Sequence, residues 1–108
     1  MTRFIQKYFL LILVITNANS LFAQTPLSNL NIHSAVDLWY NYQEIAEQNF
    51  GHISDWDVSN VTNMYELFKD RGSLNHDISG WDVSNVNNMA WMFYSCNFNQ
   101  DIGDWDAS

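Results

Sequence analysis

The chain has 108 residues, which is short for more than one domain, and its formal net charge is −8. An acidic surface repels phosphate groups, so nucleic acid and anionic membranes are poor partners. Cys96 is the one cysteine, which excludes an intrachain disulfide bond.

Residues 1–23 have the pattern of a signal peptide. Arg3 and Lys7 precede an apolar run from Tyr8 to Ile15, and Ala23 ends a plausible cleavage site. The run is much shorter than the roughly 20 residues needed to span a bilayer, although an uncleaved anchor is the alternative. We therefore expect export, cleavage after Ala23, and no membrane insertion of the mature chain.

The next two segments precede a repeat array. Residues 24–33 are polar, contain Pro26, and are expected to form a loosely ordered linker. Residues 34–52 show helical periodicity, with Ser34 suited to cap the helix start and Gly51 suited to end it. We expect one amphipathic helix that caps the array, because terminal units of arrays differ from internal ones. An independent helix that binds a partner is the alternative.

Residues 53–108 contain two copies of one sequence pattern and the start of a third. The segment Ile53–Met64 returns as Ile78–Met89, and Ile102 starts a third copy that reaches Ser108. Trp56, Trp81 and Trp105 mark the copies, so the period is about 25 residues, with one residue inserted within 69–73 of the first copy. Such a period is typical of solenoids and other arrays. Two repeats and a partial third are present, and we expect the array to continue beyond Ser108.

Each repeat has three parts. Residues 74–78 and 98–102 alternate apolar and polar side chains, which predicts a short strand. A turn-rich Asp-Val-Ser-Asn-Val segment comes before residues 63–68 and 88–93, which are expected to form one or two helical turns. The fold class predicted is α/β, a leucine-rich-repeat-like solenoid with a short strand, turn and short helix per repeat. An all-β solenoid with an irregular corner is the alternative.

The strings WDVSNVTNM and FNQDI, with a Met/Leu-Phe segment between them, resemble the BspA-like leucine-rich-repeat family of bacterial surface proteins. The resemblance covers about residues 35–108. It implies a secreted or surface-displayed bacterial array, and some members of that family are linked to adhesion. Catalytic residues are not known for the family, so the resemblance implies none here.

Recurring carboxylates are the first candidates for chemistry. Asp57, Asp82 and Asp106 repeat with the period, as do Asp77 and Asp101, and stacked aspartates could bind calcium. Because each copy offers a lone Asp beside Val or Ala, we favour hydrogen bonds to local backbone amides instead. Catalysis needs one asymmetric site, so repetition argues against an enzyme, and we expect no cofactor and no metal.

The other candidates also have structural interpretations. His33, His52 and His76 lack a metal-like spacing and are expected on the surface or in loops. The tryptophans Trp56, Trp81 and Trp105 are either stacking platforms for a ligand or buried between repeats, and burial is favoured. Cys96 is expected to be a small buried side chain. The core is expected to include Met64, Phe68, Ile78, Met89 and Phe93.

These observations predict a non-enzymatic module that binds an extracellular protein or glycan in adhesion. No residue can be named as the ligand site from the sequence. A structural stalk that displays another domain, or the non-catalytic part of a larger secreted enzyme, is the alternative.

Overall fold

The computed structural model describes residues 24–103 and residue 105. Helix α1 spans Ile32–Asn41, helix α2 spans Gln43–Phe50, and a single 3₁₀ turn spans Ile53–Asp55. Strand β1 spans Gly72–Leu74 and strand β2 spans Cys96–Phe98. The expected signal peptide, residues 1–23, lies outside the described residues. Within the described part of the chain, no helix is long and apolar enough to cross a membrane.

The single helix expected within residues 34–52 is two helices. The chain leaves the helical conformation at Tyr42, where φ is −147° and ψ is 69°, so α1 and α2 pack against each other as a short pair. Helix α1 begins at Ile32, before Ser34, whose hydroxyl donates back to the carbonyl of Asn31 and does not cap the helix. Gly51 ends α2 with φ at 84°, in the left-handed region that glycine tolerates, which confirms the role predicted for it.

Residues 24–33, expected to be a loose linker, make specific contacts with the rest of the chain. Leu27 is buried, and the amide of Thr25 donates to the carbonyl of Asn49 at 2.9 Å. The side-chain carbonyl of Asn29 accepts the backbone N–H of Thr62 at 2.9 Å and that of Asn63 at 3.2 Å. One repeat later, the N–H of Asn87 donates to the backbone carbonyl of Thr62. The Asn29 side chain therefore replaces, for the first copy, the acceptor that a preceding copy would supply.

The first two copies lie side by side and bond through their backbones. Alternate N–H groups of the first copy, from Met64 to Asp70, donate to carbonyls of the second copy. The N–H groups between them close turns within the first copy, as from Leu67 to the carbonyl of Met64. The donor and acceptor pairs between copies are Met64 to Asn88, Glu66 to Ala90, Phe68 to Met92 and Asp70 to Tyr94, with N to O distances of 2.7, 3.0, 2.8 and 2.9 Å.

The helical turns expected at 63–68 and 88–93 were therefore the wrong local structure. Both segments are consecutive turns. Glu66 and Asp70 have positive φ, at 56° and 61°, and Trp91 and Ser95 repeat this at 61° and 53°. A left-handed residue other than glycine costs roughly 1–2 kcal/mol and breaks a right-handed helix. The apolar spacing was compatible with a helix, but bonds to the neighbouring copy determine the backbone.

The strands are parallel and begin two residues earlier than the alternating pattern predicted. Gly72 pairs with Cys96 and Leu74 pairs with Phe98, an offset of 24 residues. Before the strands, Asn63 pairs with Asn88, an offset of 25. The positive-φ pair Asp70 and Ser95 still keeps the longer offset. The N–H of Arg71 donates to Phe68 as that of Cys96 does to Phe93, so the inserted residue is Arg71 or Gly72.

Arg71, at the site of the insertion, connects the repeats to the helices. Its guanidinium forms an ion pair with Asp37 of α1 and lies over the ring of Tyr40, 5.4 Å from the ring centroid. Burial lowers the pKa of Arg71. Arg71 therefore provides a cation where α1 presents a carboxylate and an aromatic ring.

The hydrophobic core is continuous from the helices through both copies. Trp39 of α1 packs edge-on against Trp56, with ring centroids 6.0 Å apart. Of the expected core residues, Met64, Phe68 and Ile78 are fully buried, whereas Met89 and Phe93 are half-buried. Equivalent side chains of the two copies stack on each other, as the parallel rings of Phe68 and Phe93 do at 5.7 Å.

Candidate functional site

The recurring aspartates are occupied by their own turns. Asp57 accepts the hydroxyl of Ser59 at 2.6 Å and its backbone N–H at 3.0 Å, and Asp82 does the same with Ser84 at 2.6 and 3.1 Å. These hydrogen bonds, mainly those from the serine hydroxyls, lower the pKa of both carboxyls.

The second set of aspartates follows the same pattern. Asp77 accepts the N–H of Ser79 at 2.8 Å, and Asp101 accepts that of Gly103 at 2.8 Å. The interpretation as local backbone acceptors is confirmed for these four aspartates, while Asp106 lies outside the described residues. Within residues 24–103 and 105, no group of three or more potential metal-ligating side chains comes together.

The three repeat tryptophans form a stack inside the molecule. Trp56 and Trp81 are buried and Trp105 is half-buried. Their rings are nearly parallel, 6.1 Å apart for the first pair and 6.5 Å for the second. Burial was the favoured interpretation, and it is confirmed for Trp56 and Trp81. These two tryptophans are therefore structural and present no ring face for a ligand to stack on, whereas Trp105 is covered only in part.

A different aromatic pair is exposed. Trp91 is 55% exposed and Tyr94 is 52% exposed, with ring centroids 4.8 Å apart and planes at 60°. The two rings border an open depression of about 730 Å³ that also includes Phe93, Ile102 and Trp105. Large aromatic rings on a surface mark interaction sites more often than scattered aliphatic side chains do.

The equivalent positions of the first copy carry charge. Trp91 corresponds to Glu66 and Tyr94 to Lys69, and Lys69 Nζ contacts Glu66 Oε2 at 2.7 Å. Both side chains stay about one-third exposed, 31% for Glu66 and 34% for Lys69, although the second copy packs against the first. These positions therefore stay partly exposed when a neighbouring copy packs against them.

The four side chains form one continuous strip, which we call the outer stripe: Glu66, Lys69, Trp91 and Tyr94. Lys69 Nζ of the first copy lies 5.9 Å from the ring centroid of Tyr94 of the second copy, so the stripe is continuous across the two copies. The bond to Glu66, with the carboxylate of Asp70 also nearby, raises the pKa of Lys69. The sequence analysis missed the stripe because its positions do not repeat in residue type. The change from Glu66 to Trp91 and from Lys69 to Tyr94, within segments that otherwise repeat, was the signal that could have found it.

A protein-family model matches residues 13–108, and its description is "Mycoplasma protein of unknown function, DUF285". The chain belongs to this family. No curated protein and no solved structure matches the chain. The match covers both sequence copies, so the outer stripe of this DUF285 member lies within the family's own region.

In this DUF285 member the structure also brings two histidines together. The rings of His52 and His76 are 5.0 Å apart, and each lies edge-on to Trp39, at 5.1 and 5.2 Å. His52 Nδ1 accepts the N–H of Ser54 at 3.2 Å, which leaves Nε2 to carry the proton of the neutral ring. The pair was missed because the 24 residues between them in the chain are not a ligand spacing, although they differ from one repeat by a single residue.

His33 and Cys96 have structural surroundings. His33 Nε2 contacts the carbonyl of Tyr65 at 2.8 Å, which connects α1 to the first copy. Cys96 is half-buried at the start of β2, less than the burial expected for it, and desolvation raises the pKa of its thiol. A raised pKa keeps the thiol protonated and weakly nucleophilic.

Proposed function

We propose that this chain is an exported, BspA-like surface module that binds an extracellular protein or glycan through the outer stripe. The observation that carries the proposal is the exposed pair Trp91 and Tyr94 at positions where the first copy has Glu66 and Lys69. Buried repeat positions stay apolar, as Leu67 and its equivalent Met92 do, whereas the stripe positions change from charged to aromatic. Such a change costs the fold little and gives the surface a distinct recognition element.

The architecture proposed with this function is a leucine-rich-repeat-like solenoid. The ladder from Met64 to Asp70, the parallel strands and the tryptophan stack support it. In place of the short helix, this version has the consecutive turns described above, as the all-β alternative does. Residues 24–50 serve as its N-terminal cap, because Asn29 supplies the missing acceptor and Trp39 covers the first repeat tryptophan.

Export is the other part of the proposal. The basic residues and short apolar run before Ala23 support a signal peptide, and removing them changes the net charge from −8 to −10. Sequencing the N-terminus of the secreted protein tests this directly. A mature chain that still starts at Met1 would contradict it.

The binding function is tested with purified extracellular matrix proteins and a panel of oligosaccharides. We expect weak binding by this chain, strengthened when several copies are displayed together, because multivalency multiplies weak contacts. The double variant Trp91→Glu/Tyr94→Lys, which places the first copy's ion pair on the second copy, should abolish it. Tyr42→Ala is the matched control, because Tyr42 is 42% exposed and lies at the junction of α1 and α2, outside the stripe. If affinity neither rises when several copies are displayed nor falls in the double variant, the stalk alternative is favoured.

A further inference from the structure

We propose that the outer stripe recognises a cationic protein surface, with an arginine side chain stacked on the Trp91–Tyr94 pair. This inference rests on the proposed binding function and specifies its partner class. Three features of the stripe support it: the accessible ring pair, the cation already seated on one ring, and the acidity of the surroundings.

The ring pair is accessible and already ordered. Trp91 and Tyr94 are more than half exposed, and their mutual packing at 4.8 Å restricts both side chains. A restricted aromatic pair loses little conformational entropy on binding. Tyrosine, tryptophan and arginine are also the residues that most often dominate the binding energy of protein interfaces.

The stripe already holds a cation against an aromatic ring. Lys69 Nζ lies 5.9 Å from the centroid of Tyr94, a contact within the range of cation–π attraction. Its charge is balanced by Glu66 at 2.7 Å, so the ammonium group does not leave the stripe positive. The Trp91 ring, packed beside Tyr94, is the larger and more exposed of the two faces. Tryptophan is the ring that attracts cations best.

The surrounding charge favours the same partner. The chain has twelve acidic residues against four basic ones, and Asp70 lies exposed beside the stripe. A negative field draws in basic surfaces and repels sulfated or phosphorylated ligands. Arginine fits better than lysine, because its planar guanidinium stacks on aromatic faces and is less strongly hydrated.

The test uses the full exported chain and a glycine-rich peptide that contains two arginines. Tryptophan fluorescence and NMR shifts should show saturable binding that weakens about tenfold in Trp91→Glu/Tyr94→Lys, as expected for loss of a stacked cation. Binding should weaken as salt rises. The Tyr42→Ala control should bind within about twofold of the natural chain, as a surface change away from the site does. Thermal unfolding of each variant establishes that it is folded.

Three results would overturn the inference. The arginine peptide fails to bind, the peptide binds equally to the double variant, or the matching lysine peptide binds more tightly. Titration with a neutral oligosaccharide separates this failure from failure of the proposed function. If the sugar binds and the double variant abolishes that binding, the stripe is a glycan site, and the cationic partner is excluded while the binding function stands.

Discussion

Trp81 donates its indole N–H to the backbone carbonyl of Ile53, 28 residues earlier in the chain, with 2.8 Å between Nε1 and O. Trp105 makes the equivalent bond to Ile78 at 3.0 Å. In both cases the ring stacks on the tryptophan of the previous copy, and its indole N–H donates a hydrogen bond to a backbone carbonyl of that copy. One side chain thus provides apolar packing and a directional hydrogen bond between copies, which explains why tryptophan marks each repeat.

The first prediction concerns that bond. Trp81→Phe keeps an aromatic ring in the stack but removes the indole donor, so the carbonyl of Ile53 keeps only the backbone N–H of Trp56, at 3.3 Å. Loss of one intramolecular hydrogen bond costs about 0.5–1.5 kcal/mol. We expect that loss in the free energy of unfolding, measured with urea. Trp91→Phe is the matched control, because Trp91 is exposed, and it should change stability by less than about 0.5 kcal/mol. Equal effects of the two substitutions would contradict the structural role of the indole donor.

Sequence reasoning succeeded where side-chain chemistry repeats and failed where a neighbouring copy determines the backbone. Burial of Trp56, Trp81 and Phe68 followed from apolar residues that recur with the period. The turns at 63–68 did not follow, because their Met and Phe spacing also fits a helix. What decides between the two is the set of N–H groups that donate to the second copy. Local sequence does not contain that long-range information.

The cap and the outer stripe show the same limit. In the sequence, Asn29 is one polar residue in a polar segment. Its role as the acceptor for the first copy depends on Thr62, which is distant in the chain but lies beside it in the fold. Arg71 was recognised as part of an insertion, but its contacts with Asp37 and Tyr40 depend on where α1 lies. Trp91 lies within the segment 88–93 that was expected to be helical. The turns over 90–95, with positive φ at Trp91, place it and Tyr94 outside the core.

The second prediction compares two stacked rings. Phe68 is fully buried, whereas Phe93 is half-buried, although the two rings are parallel at 5.7 Å. Phe68→Ala should cost roughly 3–5 kcal/mol, as deletion of a buried aromatic side chain does. Phe93→Ala should cost less, because part of that ring is already in contact with water. Urea denaturation of the two variants gives the difference, and a larger loss for Phe93→Ala would show that the assigned burial is inverted.

The third prediction concerns the start of the array. Asn29→Ala removes the acceptor for the N–H groups of Thr62 and Asn63 and the donor to the Thr62 hydroxyl. These groups are exposed to water, so we expect a loss of about 0.5–1.5 kcal/mol, in the range of a net hydrogen bond. Asn99→Ala, at an exposed position, is the control.

Hydrogen exchange shows where the Asn29→Ala effect acts. The amides of Thr62 and Asn63 should exchange faster in the variant, while those of Phe68 and Asp70, bonded to the second copy, should change less. Unchanged exchange at Thr62 would mean that Asn29 does not cap the first copy.

The last prediction concerns the loss of stability at low pH. The hydroxyl and backbone N–H of Ser84 lower the pKa of Asp82 below 3.8, although the nearby Asp57 carboxylate opposes the shift. A carboxyl with a lowered pKa in the folded state stabilises the fold above its unfolded value, and that stabilisation is lost as pH falls through the folded pKa. Asp82→Asn keeps a side-chain acceptor but removes the charge. It should therefore be less stable than the natural chain above about pH 4, and the difference should shrink at lower pH.

Urea midpoints of both proteins across pH measure this difference. Ser84→Ala provides the matched comparison, because it removes the hydroxyl donor at 2.6 Å and leaves the backbone N–H in place. Its pH dependence should lie between those of the natural chain and Asp82→Asn. Since Asp57 makes the same two bonds, Asp57→Asn should behave like Asp82→Asn. A stability difference that is constant with pH would show that the turn carboxylates are not stabilised in their charged form.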